Sequence, residues 1–551
     1  MDSKQELDFL EGEALNDEEA LQTYSRDASL FEVKPKLVVF PKHAQDLKKL
    51  VRFAHEHPEK GISLTARSAG TCMTGGPLSE SIVLDFTKHF RHVKEVKKTS
   101  EREGYGVVEP GVYYRDFEQE TLKQNLLLQS YPASREICAV GGMVANGGGG
   151  ENSLRYGKTD KFVRELRCVL SDGNEYGVKP LTRRELEEKM KQDTWEGRLY
   201  QNMFELLDAN YDLLSREKPK VTKNSAGYAL WDVWNRETEI FDFTKLFCGS
   251  QGTLGLITEI TFKLLRPHPY STLLVIFLKD LGPLPRIVER ILAHSPESFE
   301  AYDDKTLKLA LRFLPGFVKL LKGNIFSLGL RFLPELKMLL LGGMPKLVLF
   351  AEFAGDSEEE TRAAALTAQK SLKDLKLNMR ITRAQKEVEK YFTVRRESFN
   401  LLRNHVKGRR TAPFIDDLVV DPQYLAEFFP RLQQVLKPYE KYMTYTIAGH
   451  VGDGNFHIIP LMDMSKQESR RIIPELMEKV HALVFEYGGS FTAEHNDGLI
   501  RTPFLKDMYS PEMLKLFVET KRIFDPSNIF NPGKKVNGDL AYTLSHIAKE
   551  N

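Results

Sequence analysis

The sequence predicts an α+β fold, and three observations predict it. Short apolar strands alternate with helix-like stretches over residues 31–268, a proline-flanked break follows at Arg266-Pro-His-Pro269, and beyond it a strand–helix–strand rhythm gives way to a mostly helical pattern from residue 467. The chain has 551 residues, too many for one ordinary core. The expected division is a polar lead over 1–30, a first domain over 31–268, a second domain with an antiparallel sheet over 269–466, and a C-terminal helical cap over 467–551.

The elements follow in order. Pro41-Lys-His-Ala-Gln-Asp-Leu-Lys-Lys-Leu-Val-Arg-Phe-Ala reads as a strand end, a cap and an amphipathic helix. Ile62–Arg67 and Ile82–Phe86 read as strands either side of a Gly-rich loop, a second such loop covers Val140–Gly150, and a third covers Gly249–Gly255. Arg164–Leu170 followed by Asp172-Gly173 reads as a strand and tight turn. After the break come strands at Leu273–Leu278 and Leu347–Phe353 and helices at Leu284–His294 and Ser357–Leu375.

Composition excludes several function classes. Hydrophobic residues at 41% and charged residues at 28% mark a globular chain, and a formal net charge of +1 points to no nucleic-acid or polyanionic partner. Cys72, Cys138, Cys168 and Cys248 lie far apart with no CxxC pair, which excludes a zinc knuckle or iron–sulfur cluster and fits a reducing compartment. The polar, acidic start and the lack of any run of about 20 apolar residues predict a cytoplasmic protein.

The glycine loops carry the first functional signal. Backbone N–H groups approach a pyrophosphate closely only where side chains are small, and here three such loops sit beside strands within one domain-sized stretch. No GxGxxG follows a strand, and Asn152-Ser-Leu-Arg-Tyr-Gly-Lys-Thr159 lacks the first glycine of a Walker A loop. The second signal is Gly449-His450-Val-Gly-Asp-Gly-Asn-Phe-His457 with Thr492-Ala-Glu494-His495 downstream. Residues seven apart on a straight strand face opposite sides, so His450 and His457 share a site only if the chain bends, and Gly452-Asp-Gly454-Asn supplies the bend. With Glu494 they form two imidazoles and a carboxylate, a ligand set with open positions that suits a catalytic metal: zinc first, with manganese or iron as alternatives.

These motifs resemble a known family. Arg67-Ser-Ala-Gly-Thr-Cys-Met-Thr-Gly-Gly76, Ala139–Gly150 with Arg155-Tyr-Gly157, and Gly249-Ser-Gln-Gly-Thr-Leu-Gly-Leu-Ile-Thr258 resemble, in order, the loops of the vanillyl-alcohol-oxidase-type, or PCMH-type, FAD domain, with Gln251 where glutamate is common. HxGDGNxH and the later Glu-His pair resemble the C-terminal domain of FAD-linked D-2-hydroxy acid dehydrogenases, with Asn496 where a glycine is usual. The resemblance implies a two-subdomain FAD-binding domain followed by the antiparallel-sheet substrate domain. It places flavin contacts at Arg67, Ser68, Ala69, Gly70, Thr71, Cys72, Thr74, Gly75, Gly76, Pro132, Gly141, Gly142, Val144, Asn146, Gly148, Ser153, Tyr156, Gly252, Ile257, Asn455 and Asn531. Many relatives link the flavin covalently through a histidine in the first loop; Thr71 stands there, which implies non-covalent FAD.

The same resemblance makes His450, His457 and Glu494 metal ligands and His495 the base. It sets Arg395, in Phe392-Thr-Val-Arg395-Arg396, against the substrate carboxylate, with Lys407 and Arg410 as weaker candidates; the other reading of Arg395 is a solvated charge on a helix. The expected reaction is oxidation of a D-2-hydroxy acid, D-lactate to pyruvate first, by hydride transfer to the flavin, with electrons passed to a quinone, a cytochrome or an electron-transfer flavoprotein. Glycolate and D-2-hydroxyglutarate are the alternative substrates, and a catalytically silent FAD-binding subunit of a redox complex is the alternative role. The apolar, basic stretch over 307–345 reads either as peripheral contact with the inner face of the cytoplasmic membrane or as helices packed on the substrate domain.

Overall fold

A computed structural model describes residues 7–312, 343–405 and 408–550. The apolar, basic stretch singled out above falls largely on 313–342, and Lys407 on 406–407, both outside the described residues. No described helix is long and apolar enough to cross a membrane.

Three larger sheets organise the chain. In the first, the strands Leu37–Phe40, Ile82–Asp85 and Leu64–Arg67 run parallel, and Glu13–Leu15 adds an antiparallel edge, so part of the N-terminal lead is built into the sheet. The second is antiparallel, with Leu256–Leu265 paired on one side to Glu103–Val108 and on the other to Val163–Val169. Along Leu256–Leu265 the later residues alternate buried and half-buried, the period-2 pattern of a sheet with one face on the core.

The third sheet has seven strands, all antiparallel where they pair, including Tyr270–Leu278, Leu347–Gly355, Ser298–Asp303, Ile447–His450 and Asn455–Ile458. Its central strands are nearly continuously apolar because both faces are covered. Leu274 and Ile276 pack with Leu349, Ala365 and Ala368 on one side, while Leu273 and Val275 pack with Phe350, Tyr391 and Phe392 on the other. Each such buried side chain stabilises by about 1.5–3 kcal/mol. Glu300 interrupts the fully buried strand Ser298–Asp303, and a carboxylate there demands a partner.

Beyond this sheet the chain is mostly helical, with Gln467–Glu486 and Pro511–Phe524 as the long elements. The closing turn returns to the first sheet, where Leu64 N donates to the Ile529 carbonyl and Asn531 N to the Leu64 carbonyl. The segment carrying Glu494 and His495 bridges the second glycine loop, whose Asn146 Nδ2 donates to the Glu494 carbonyl at 3.0 Å, and Asp417, whose Oδ2 accepts from the N–H of Glu494 and of His495.

Candidate active site

One cavity of about 910 Å³ runs from the glycine loops to the histidines. Its wall includes Arg67–Met73 and Gly76 from the first loop, Pro132, Gly141, Gly142, Asn146 and Gly148–Glu151 from the second, and Gln251, Gly252 and Ile257 from the third; Arg395, His450, His457, Glu494 and His495 close the far end. None of the backbone N–H groups from Ser68 to Met73 donates to a backbone carbonyl, so this loop keeps its donors for a ligand. Gly70 sits at φ +68°, where a Cβ would strike the Arg67 guanidinium at 2.6 Å.

Other expected flavin contacts brace the wall from behind. Thr74 and Val144 are fully buried, and Gly75 packs under Phe31 and Leu499. Ser153 Oγ accepts from Gly150 N (2.7 Å), and Asn531 Nδ2 donates to the carbonyls of Gly76 (3.0 Å) and Gln251 (2.7 Å), tying the first and third loops together. Asn455 Nδ2 donates to Asp417 Oδ1 and the Leu418 carbonyl, and Tyr156 pairs with Glu297 outside the cavity. Arg67 lines the cavity, but its guanidinium donates to the carbonyls of Tyr24 (3.3 Å) and Arg26 (2.8 Å), which holds Arg26, Asp27 and Ala28 of the N-terminal lead in the wall.

The histidine hairpin folds as its glycines dictate. Gly454 adopts φ +69° and closes a tight turn between Ile447–His450 and Asn455–Ile458, with Ala448 opposite His457 and His450 opposite Asn455. The two histidines are thus diagonal neighbours on one face, with ring centroids 5.4 Å apart. Glu494 Oε1 lies 3.4 Å from the Nε2 of each. Ligand atoms on a tetrahedral ion with bonds of about 2.0–2.1 Å stand about 3.3–3.4 Å apart, so each of these two carboxylate–imidazole spacings is one that a divalent cation could bridge.

Carboxylates back both rings. His450 Nδ1 meets Glu300 Oε1 at 2.7 Å, and His457 Nδ1 lies 3.3 Å from Asp416 Oδ1. This carboxylate–imidazole pattern typifies metal-binding histidines. Negative charge is in excess: Glu300, Asp416, Asp417, Asp453 and Glu494 face Lys223, Arg395 and Lys158. Burial opposes charging of His457, yet Asp416 and Glu494 outweigh it and raise its pKa to about 10. A bound cation would relieve that same field.

His495, Asp417, His457 and Glu494 have ligand atoms within 4.8 Å of one another, a tighter grouping than one that includes His450. Asp417 is nonetheless spent: its Oδ2 accepts from Thr492 Oγ1 and from the backbone N–H of Glu494 and His495, and its Oδ1 accepts from Asn455. It shapes the turn that presents the pair. His495 stacks on His457 with centroids 4.9 Å apart, donates Nδ1–H to Asp416 Oδ2 at 2.7 Å, and keeps its other nitrogen for the cavity.

Arg395 is 9% exposed, with Nε 2.5 Å from Glu300 Oε2 and Nη2 3.5 Å from the His450 ring, so a buried ion pair aims it into the cavity. Arg410 donates to the Ser29 carbonyl at the N-terminal segment. Lys223, which no sequence motif singled out, sits 3% exposed between Asp453 (2.8 Å) and Glu494 Oε2 (3.5 Å), leaving Oε1 of Glu494 for the histidines. Asn496 adopts φ +72°, a conformation asparagine tolerates, and its amide donates to the carbonyls of Asn146 and Gly249 (both 2.9 Å); it replaces a glycine's freedom and adds a tie between loops.

Residues 268–535 match the family model described as FAD linked oxidases, C-terminal domain, and residues 35–177 match that described as FAD binding domain. The chain is 27% identical over 521 residues to D-2-hydroxyglutarate dehydrogenase of Escherichia coli (strain K12), covering 93% of this chain and 49% of that one, so it spans about half the length of that relative. It is 24% identical to glycolate oxidase subunit GlcD of Bacillus subtilis (strain 168), covering 93% of this chain and 91% of that one. With D-lactate dehydrogenase of Archaeoglobus fulgidus it shares 25% identity, covering 91% of each. The fold matches the crystal structure of p-cresol methylhydroxylase with substrate bound at a TM-score of 0.64 and 16% identity, covering 95% of this chain and 94% of that one.

Proposed function

From a chain that carries both an FAD binding domain and a C-terminal domain of FAD linked oxidases, we propose that it oxidises a D-2-hydroxy acid with non-covalent FAD and a divalent metal, zinc first. The observation that carries this reading is the single cavity that joins the three glycine loops to His450, His457, Glu494 and His495. When bound, the flavin takes up hydride and the metal lowers the pKa of the substrate hydroxyl.

The chain's own residues do the rest. The amides of Ser68–Met73 hold the diphosphate of FAD, and the second and third loops line the remainder of the cofactor. His450, His457 and Glu494 hold the metal, with Glu300, Asp416 and Lys223 orienting them. Arg395 steadies the substrate carboxylate through the guanidinium nitrogens that Glu300 leaves free. His495 accepts the hydroxyl proton on its cavity-facing nitrogen while Asp416 holds the opposite one. Thr71, in the cavity wall, offers no imidazole for a covalent flavin bond.

The substrate is a small 2-hydroxy acid. D-2-hydroxyglutarate joins D-lactate and glycolate as a lead candidate because dehydrogenases of that name are among the relatives that match most of the chain. Electrons leave the flavin for a quinone, a cytochrome or an electron-transfer flavoprotein. The test is anaerobic mixing of the yellow protein with each acid, and with L-lactate as control, while following flavin absorbance at about 450 nm. Bleaching by a D-2-hydroxy acid is the expected result; a protein that keeps its colour with all of them contradicts this reading and favours the silent FAD-binding subunit.

A further inference from the structure

The proposed reaction asks different things of two neighbouring imidazoles, and one carboxylate touches both. His457 must turn an unprotonated nitrogen to the metal, and His495 must turn one to the substrate hydroxyl. Asp416 Oδ2 accepts from His495 Nδ1 at 2.7 Å, and Asp416 Oδ1 stands 3.3 Å from His457 Nδ1. The second approach is longer and falls outside hydrogen-bond geometry, yet His457 Nδ1 and Asp416 Oδ1 are both buried and have no hydrogen-bond partner, so each is the other's nearest match. A carboxylate can only accept, so both Nδ1 atoms carry a hydrogen, and it is Nε2 that must give up its proton and supply a lone pair when His457 binds a metal or His495 takes a proton. His457 Nε2 faces Glu494 Oε1 at 3.4 Å, where the metal would sit.

Asp416 is itself held firmly. Its side chain is 0% exposed, and its carbonyl accepts from Arg501 Nη2 at 2.6 Å. Arg501 is 1% exposed and also binds the Asn496 carbonyl, so Asp416 and the turn after His495 share one brace. The next residue, Asp417, takes the backbone N–H of Glu494 and of His495. The strand start at Leu418 and the segment 492–496 therefore cannot slide past each other without breaking several buried bonds.

We propose that Asp416 is the positioning residue that sets the tautomer of both His457 and His495, so that one carboxylate couples metal binding to proton acceptance. The proposal rests on the reading of this cavity as a metal-dependent 2-hydroxy acid site. Asp416→Asn keeps the volume but accepts at one atom only, so one histidine faces an N–H donor and must reverse its tautomer.

The test begins with FAD content and zinc titration of the metal-depleted protein. Asp416→Asn is expected to retain FAD and to bind zinc about 10–100-fold more weakly. Its kcat is expected to fall by at least about 100-fold while KM moves less than about threefold, and formate is expected to restore part of the loss in Asp416→Ala by filling the vacated carboxylate site. Zinc affinity and kcat within about threefold of wild type in Asp416→Asn would overturn the proposal. Nitrogen-15 histidine spectra of the zinc-loaded wild-type protein need no variant to fold: Nδ1–H at both rings supports the proposal, and an Nδ1 without hydrogen at either ring refutes it. If no 2-hydroxy acid reduces the wild-type flavin, the functional reading fails while the zinc titration and spectra still decide the role of Asp416.

Discussion

Gly149 and Glu494 touch across the boundary between the flavin loop and the histidine cluster. A Cβ on Gly149 would stand 2.7 Å from Glu494 Oε2 and 2.7 Å from Ser153 Oγ, with Lys158 close behind. A side chain there has no free direction. Gly149→Ala is therefore expected to displace Glu494 and to weaken zinc binding about 10–100-fold, read by titration of the metal-depleted protein. Unchanged zinc affinity would show that the loop yields instead.

His495→Ala should separate binding from turnover. The ring donates to Asp416 and stacks on His457 but carries none of the three proposed metal contacts. The variant is expected to keep FAD and zinc and to lose at least about 100-fold in kcat. Near-normal turnover with any 2-hydroxy acid that reduces the wild type removes His495 from the base role.

Glu300 is the charge that pins Arg395. It is fully buried, contacts Arg395 Nε at 2.5 Å and His450 Nδ1 at 2.7 Å, and its carboxyl is held below the usual range because Arg395 and His450 outweigh the burial penalty. Glu300→Gln leaves a buried guanidinium without its counter-charge, which costs about 3–5 kcal/mol. Urea unfolding of the FAD-loaded protein is the measurement, and a loss well under about 1 kcal/mol would contradict the pairing.

The glycine loops and the histidine hairpin were legible in the sequence because their chemistry is local. Gly452 and Gly454 announce the bend that brings His450 beside His457, and Thr71 stands where the family resemblance implies a flavin-linking histidine in many members. Asp416, Asp417, Glu300 and Lys223 were not read, since each acquires meaning only from a partner distant in sequence; Asp416 and His495 are 79 residues apart. One signal was available: Glu300 lies inside the strand Ser298-Phe-Glu-Ala-Tyr-Asp303, where a charge is out of place unless it serves a site. Arg67 serves two places at once. It borders the cavity as the loop pattern implies, and its guanidinium also reaches back to the N-terminal segment.

His481 supplies a pH test away from the site. It is 2% exposed among Phe485, Phe491 and Phe504, and neither ring nitrogen has a hydrogen-bond partner. Burial first, and the Arg501 charge second, push its pKa down to about 3. The unfolded chain titrates this histidine near about 6.5, so between that pH and about 3 the unfolded state binds the extra proton and stability falls as pH falls. Replacing it with phenylalanine removes the titration. His481→Phe is expected to gain about 2 kcal/mol over wild type on going from pH 7.5 to pH 5, read from urea midpoints at both. Parallel pH profiles for the two proteins would show that His481 finds a proton acceptor when charged.

Non-covalent attachment of FAD has a simple check. With Thr71 in the wall, acid precipitation is expected to leave the flavin in the supernatant, and yellow precipitate would reveal a covalent bond elsewhere.

The central claim is that the histidine cluster and the flavin act on one substrate in one cavity. Anaerobic flavin reduction by D-2-hydroxyglutarate, D-lactate and glycolate, measured before chelation, after chelation, and after zinc is restored, tests it most directly. The account predicts rapid bleaching by one of these acids, loss of at least about 100-fold in rate once the metal is removed with FAD still bound, and recovery on adding zinc. Bleaching at an unchanged rate in the metal-free protein would contradict it.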